Sequence, residues 1–560
     1  MKKYFIYTAI ITATVTSCNL DTQPMSEIVS DELLSNPNSI ITVTNGNYAI
    51  LKGDADGGGF YNNLYRASEY GTDNVTLSGT TTDDFFYMYN YKLVKTGGRV
   101  ANIWSNGYKA IIGCNKVIEL AKEGKDSTTD QLIGENYFLR AYSYFQLVNI
   151  FGRPYYQGKE NLGVPIKINT DVNNLPPRST VGQVYDQVIS DLLKAETLMS
   201  DNTSHIRATK IAAQALLSRV YLYMGDNQKA IDYTNKVISS GERGLLPTNE
   251  LGDYSKKTPE ANNETILAFK YNKDGDYNHG WYTIGSMFAN IQDVGWGEMY
   301  ASQTYLDLID QNTGDARRKF ISPVYTLDNN GSKIPAVYYV DNNYKYWFGR
   351  LYEEGGKTKF KITKPNPADP KTNITYTYDL LSESGGPKGT LYYTYDENNV
   401  KTYVTKDYDM DKRNGYPKFY ILKCSLQDGI PQLYSPVILR LAEMYLNRAE
   451  AYAKQGNVAS ALADINMIRQ RAGISAYTSL PTGRNILDVV LDERRLELAF
   501  EGHRKFDIFR NGKTLNRRYP GTHLNGTSPF YEVKPDDKRV VLYLPESQII
   551  AQPNLIQNPD

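Results

Sequence analysis

Apolar residues recur at three- and four-residue spacings through much of the first 240 positions. That is the period that turns one stripe of an α-helix toward a core. Between Ala101 and Lys122, the residues Trp104, Tyr108, Ile111, Asn115 and Ile118 fall on one such stripe, which predicts a helix with Trp104 in the core. A second helix is expected from about Asp130 to Ile150. A third opens with the capping-box sequence Thr180-Val181-Gly182-Gln183 and turns Val184, Val188, Leu192 and Ala195 inward. From about Gly241 to Pro436 the helical period gives way. Asn-Asn, Asn-Gly and Gly-Gly pairs punctuate this stretch, and the tyrosine-rich alternations 374–378 and 391–395 mark loops and short hairpins. Helical spacing then returns to about residue 512, and the last residues are again rich in Pro, Asn and Gly.

An internal repeat links the two helical parts. The segments 219–238 and 450–469 align Tyr221 with Tyr452, Gly225 with Gly456, Ala230 with Ala461 and Ile231 with Leu462. An aromatic, a helix-ending glycine four residues on and a small alanine five further on are the core of a tetratricopeptide-type hairpin. The expected fold class is therefore mainly α, a tetratricopeptide-like helical hairpin scaffold with a large irregular, loop- and hairpin-rich insertion. The expected division is a scaffold over 40–240, a ligand-binding insertion over 241–435, tetratricopeptide-like helices over 436–512 and an irregular tail over 513–560.

The N-terminus adds an address. Lys2 and Lys3 precede about a dozen apolar residues, too few to span a bilayer, and the run ends at Val15-Thr16-Ser17-Cys18. This predicts a lipoprotein signal peptide over 1–17, acylation at Cys18 and a polar tether over 18–39. Acyl chains would hold the protein on a membrane without crossing it. Only Cys114 and Cys424 remain, too few for a disulfide framework, and Cys114 lies in an apolar helical pattern as a core residue.

Charge narrows the partners. Across 560 residues, 62 Lys and Arg balance 62 Asp and Glu, so the basic excess of a nucleic-acid binder is missing. The four histidines are scattered and match no metal spacing. Neither a metal nor a cofactor is expected. Asp54 and Asp56, in a glycine-rich turn, fall short of a calcium loop. The acidic and basic block from Glu493 to Arg510 reads as ion pairing, since Glu493, Arg494 and Glu497 sit at one-turn spacings on a helix and can pair with one another and with neighbouring helices. No nucleophile elbow, phosphate loop or zinc-helix motif occurs, and no carboxylate pair stands out, so no catalytic residue and no enzyme activity are expected. Tyrosine is abundant, 47 beside 17 Phe and 4 Trp, and its flat apolar face with a polar tip suits hydroxylated ligands.

Four blocks together resemble a known family. They are the run from Arg140 to Pro154, the hairpin from Arg440 to Gly473, the block from Glu493 to Asp507 and the closing Asn554-Leu-Ile-Gln-Asn-Pro559. With the lipobox they resemble the SusD/RagB family of surface lipoproteins of Bacteroides-type bacteria. The resemblance implies an outer-membrane protein, anchored by lipid and facing the exterior. Such a protein binds oligosaccharides, or in the RagB branch peptides, and passes them to a TonB-dependent transporter of the SusC type. Family sugar sites lie in variable loops, so no ligand residue carries over by position. A tetratricopeptide adaptor and a glycosidase are the alternatives from other classes.

The candidate ligand residues come from the insertion, where aromatics mix with amides. One group is Trp281, Tyr282, Trp296 and Tyr300, with glycines on both sides of Trp296 read as room for a ligand. The other is Asn343, Tyr344, Tyr346, Trp347 and Arg350.

Overall fold

The computed structural model describes residues 37–560 apart from 54–57, 82, 201–202, 278 and 526–528. Cys18, the expected signal segment, most of the expected tether and the pair Asp54 and Asp56 lie outside the described residues. Helices α1 (Pro37–Lys52), α2 (Phe60–Glu69), α3 (Asp84–Asn90), α4 (Gly98–Leu120) and α5 (Ser127–Phe151) are followed by α6 (Val181–Leu198), α7 (Lys210–Met224) and α8 (Asn227–Ser239). From α4 to α8 each helix packs on the next, and α1 lies against α4 and α5. The expected stripe of α4 faces inward at Trp104, Ile111, Cys114 and Asn115. Trp104 meets Phe151 edge-on at 5.1 Å between ring centroids. Thr180 and Gln183 close the capping box that starts α6, and its four expected core residues are buried.

Both repeat segments are helical hairpins. α7 ends at Gly225, whose φ of +83° is the left-handed cap that glycine adopts without a Cβ penalty. The second hairpin is α9 (Leu441–Lys454) and α10 (Val458–Arg471), with Gly456 at φ +77° in the turn. Ala230 and Ala461 are both fully buried. Helix α9 packs on α8 and on α11 (Ile486–Glu497), so the second hairpin continues the stack that the first began. Ala461 sits among Ala449, Ala453, Ile465 and Val490. Ala461→Phe should therefore overpack this contact and lower stability by about 1 to 3 kcal/mol, read from denaturant unfolding. An unchanged midpoint would mean that the two helices do not meet there.

The stretch between α8 and α9 departs from expectation. Instead of scattered short hairpins it contains one seven-stranded antiparallel sheet. The strands are β1 (Pro335–Val340), β2 (Tyr346–Glu354), β3 (Lys357–Asn366), β4 (Asp369–Asp379), β5 (Leu381–Ser384), β6 (Thr390–Tyr395) and β7 (Lys401–Tyr408), in the order β4-β3-β2-β1-β7-β6-β5. Both tyrosine alternations lie in it, in β4 and β6. The sheet curls until β4 touches β6, and Glu397, in the β6–β7 turn, accepts hydrogen bonds from Lys364 on β3 and Tyr378 on β4. The curl encloses a small core of its own around Val337, Phe360, Ile362 and Val404. Period-2 patterning with tyrosine on both faces hid this, because tyrosine fits a wet face as well as a packed one.

Short ladders tie the insertion down. Thr265–Ala268 pairs with Val437–Arg440, zipping its two ends together, and Val75–Leu77 pairs with Met299–Ala301. Beneath them the block from Glu493 is paired as expected, both within itself, where Asp507 bonds Arg494 at 3.0 Å and Arg510 at 2.6 Å, and with distant partners. Arg440 bonds Glu264 at 2.5 Å, Glu497 at 2.6 Å and Glu501 at 2.8 Å. Arg317, fully buried, bonds Asp315 at 2.7 Å and Glu493 at 2.6 Å. No helix among the described residues is long and apolar enough to cross a membrane.

Candidate functional site

A cleft of about 540 Å³ opens where the strand ladder at Val75–Leu77, the sheet and the C-terminal segment meet. Its walls are Ser78, Gly79 and Thr80; Asn343, Tyr344, Lys345 and Tyr346; Asn414, Gly415 and Tyr416; and Pro520, Gly521, Thr522, Leu524 and Asn525. Lys345 is the one charged residue in that lining.

Each wall has a local cause. Residues 341–345 form the turn between β1 and β2, in which the Asp341 carboxylate accepts from the backbone N–H groups of Asn343 and Lys345 at 2.8 and 2.9 Å. The turn forces Tyr344 to φ +60°, a left-handed conformation that is a true outlier for a bulky side chain and costs of order 1 kcal/mol or more. The ring this holds out lies 6.1 Å from that of Tyr531. Asn414 and Gly415, at φ +53° and +84°, make the two-residue turn that joins Arg413 to Tyr416. Asn414 donates its side-chain N–H to the Ser78 carbonyl at 2.9 Å, locking two walls together. The fourth wall hangs on His523. Its Nε2 faces the Arg517 carbonyl at 2.7 Å and so carries the proton, which leaves Nδ1 to accept from the Tyr89 hydroxyl at 2.8 Å. Burial, with Arg517 beside it, pushes this imidazole far below the ordinary histidine pKa and keeps it neutral. Burial also lifts the Tyr416 phenol, so it remains a neutral donor.

The nine candidate residues of the insertion separate. Asn343, Tyr344 and Tyr346 line the cleft, with Tyr346 at its floor, nearly buried, its hydroxyl donating to Gln303 at 3.1 Å. Strand alternation sends the next residue, Trp347, to the other side, against the core inside the curl, where its indole N–H donates to Asp341 at 2.9 Å. Arg350 lies outside the cleft and pairs with Asp409 at 2.7 Å.

Trp281, Tyr282 and Trp296 form a ridge of their own. The two indoles meet edge-on at 4.9 Å, and Trp296 Nε1 donates to the Trp281 carbonyl at 3.1 Å. Trp296 is 47% exposed and Tyr282 39%. The glycines beside Trp296 serve the backbone rather than a ligand. Gly295 and Gly297 have φ of +100° and +54°, and a Cβ on them would meet Ala289 O at 2.4 Å and Asn290 N at 2.9 Å. Tyr300 is corrected to a core residue. It is 1% exposed in a wholly buried strand and donates to the Gly297 carbonyl at 2.9 Å. Ridge and cleft are joined through Glu298, two residues after Trp296, whose carbonyl accepts from both the backbone and the hydroxyl of Ser78.

Tyr416, Asn414, Thr80 and Asn525 were not among the expected residues. Only the Asn414-Gly415 pair carried a signal, as a hairpin turn. Among the described residues no three His, Cys, Asp or Glu side chains gather as a metal site. The cleft thus offers aromatic faces, amides and hydroxyls, the groups that stack on and hydrogen-bond a neutral polyhydroxylated ligand.

Two family models match the chain: one described as "Starch-binding associating with outer membrane" over residues 20–222, and one described as "SusD family" over 263–560. The starch-binding protein SusD of Bacteroides thetaiotaomicron is 24% identical over 540 residues, covering 91% of this chain and 87% of that protein. SusD-like protein P2 of Formosa agariphila is 23% identical over 577 residues, covering 100% of this chain and 99% of that protein. A solved SusD superfamily protein from B. thetaiotaomicron superposes with a TM-score of 0.69 at 24% identity, over 94% of this chain and all of that one. A SusD-like carbohydrate-binding protein from Bacteroides vulgatus gives 0.65 at 18% identity, over 93% and 97%.

Proposed function

Because the chain belongs to the SusD family, we propose that it is a glycan-binding protein of the outer membrane that takes up oligosaccharides in the cleft between Ser78, Tyr344, Tyr416 and Asn525. In this reading it is anchored through Cys18, faces the exterior, performs no chemistry and hands its ligand to a SusC-type TonB-dependent transporter. The observation that carries it is the cleft's composition. Three tyrosine rings, amides and hydroxyls with a single charge suit sugar rings, whose C–H faces stack and whose hydroxyls both donate and accept. Tyr344 held in a strained conformation at the rim fits a binding role, since strain of this kind persists where the fold must present a side chain.

The test is calorimetric titration of the full chain in detergent with neutral oligosaccharides, α-linked glucans first, beside a peptide panel. Saturable binding of a glycan supports the reading. Saturable binding of a peptide with no glycan bound would replace it with the RagB-type function. The ridge gives a second check. Trp296→Ala should weaken oligosaccharide binding about tenfold, some 1.4 kcal/mol, with the unfolding midpoint nearly unchanged because the ring is half exposed. Wild-type affinity would take the ridge out of the site.

A further inference from the structure

A second cleft, of about 490 Å³, lies over strands β2 and β3 and has the opposite character. Phe348, Arg350 and Tyr352 alternate onto it from β2, Lys361 joins from β3, and Asp409 and Lys412 close one side. The lining therefore holds three cations and one carboxylate, Asp409. That carboxylate is already engaged at both oxygens. Arg350 Nε bonds Oδ2 at 2.8 Å and Lys412 Nζ bonds Oδ1 at 2.8 Å. Burial alone would raise the Asp409 pKa, but Lys412 and Arg350 outweigh it and hold the group ionised. Lys361 lies within electrostatic reach of Glu354 but forms no ion pair among the described residues, and its ammonium sits 5.3 Å from the centre of the Tyr352 ring. The Tyr352 ring forms a wall of the cleft, with its hydroxyl turned away from water. An aromatic wall, an ammonium without an ion pair and surplus positive charge converge on one open cleft, whereas the first cleft carries a single lysine.

We infer that this second cleft binds the anionic group, carboxylate or sulfate ester, of an acidic oligosaccharide. The guanidinium edge of Arg350 that faces away from Asp409 and the ammonium of Lys361 receive the charge, and Phe348 flanks the sugar ring. The ligand class rests on the glycan-binding reading above, while the charge preference rests on this cleft alone.

The experiment titrates the full chain with four probes: a trigalacturonate, a sulfated disaccharide, maltohexaose and sodium sulfate. At low ionic strength one of the two acidic sugars should bind, with affinity falling as salt is added. The exposed pair change Arg350→Gln with Lys361→Gln should weaken that binding at least tenfold and leave both the unfolding midpoint and any maltohexaose binding in place. Which acidic sugar responds assigns carboxylate or sulfate. Equal affinity of the double variant and the wild type overturns the inference, as does binding of sodium sulfate with neither acidic sugar bound. If the wild type binds an acidic sugar but not maltohexaose, that result counts against the first cleft and leaves this one standing.

Discussion

Glu497→Gln should destabilise the protein by about 3 to 5 kcal/mol, the effect expected when one member of a buried ion network is neutralised and its partners stay behind. Glu497 is 2% exposed. It faces Arg440 at 2.6 Å, Arg317 at 3.4 Å and Arg471 at shorter range, and those guanidiniums join strand, insertion and helix. The substitution keeps the shape and removes the charge, so the loss reads the electrostatics rather than a cavity. Burial pushes the Glu497 carboxyl upward, but Arg471, Arg440 and Arg317 together hold it well below the ordinary glutamate pKa. The sign follows. A group whose folded pKa lies below its unfolded value adds stability above about pH 4.5 and loses it as the pH falls. The variant should therefore be much weaker than the wild type at pH 7, and the gap should narrow in acid. Denaturant unfolding at pH 7 and at pH 3.5 measures both. A gap below about 1 kcal/mol at pH 7, or one that does not narrow, would mean that the network does not hold the two halves of the chain together.

This network also marks how far the sequence was readable. The spacing of Glu493, Arg494 and Glu497 announced ion pairing, but Arg317 and Arg440, which pair with Glu493 and Glu497, lie on elements that only the folded chain brings near. The helices were legible because a 3.6-residue stripe such as that through Trp104 has one apolar side, and the hairpins because Gly225 and Ala230 recur as Gly456 and Ala461. The sheet was harder. Its hairpins showed as alternation and punctuation, but nothing in Ile374 to Tyr378 tells which strand lies beside it. The cleft was half visible for the same reason. Tyr344 and Tyr346 were found by composition, while Tyr416 and Asn525 reach it from segments about 70 and 180 positions away, and alternation removed Trp347, a neighbour in sequence alone.

Tyr344→Ala with Tyr416→Ala should weaken oligosaccharide binding about a hundredfold, roughly 2.7 kcal/mol. The two rings stand on different walls of the first cleft, one on the turn between β1 and β2 and one beside the Asn414-Gly415 turn, so a sugar between them loses a stacking face on either side. The two losses should add only if the rings act independently, and the single variants test that at about tenfold each. Tyr344 permits a sharper separation of binding from folding. Its φ of +60° is strained for tyrosine and free for glycine. Tyr344→Gly should therefore leave the unfolding free energy unchanged or raise it by up to about 1 kcal/mol, while the affinity falls as far as in the alanine variant. A residue kept for packing would show the reverse, a fall in stability with the affinity retained, and that outcome would move the ligand away from the β1–β2 turn.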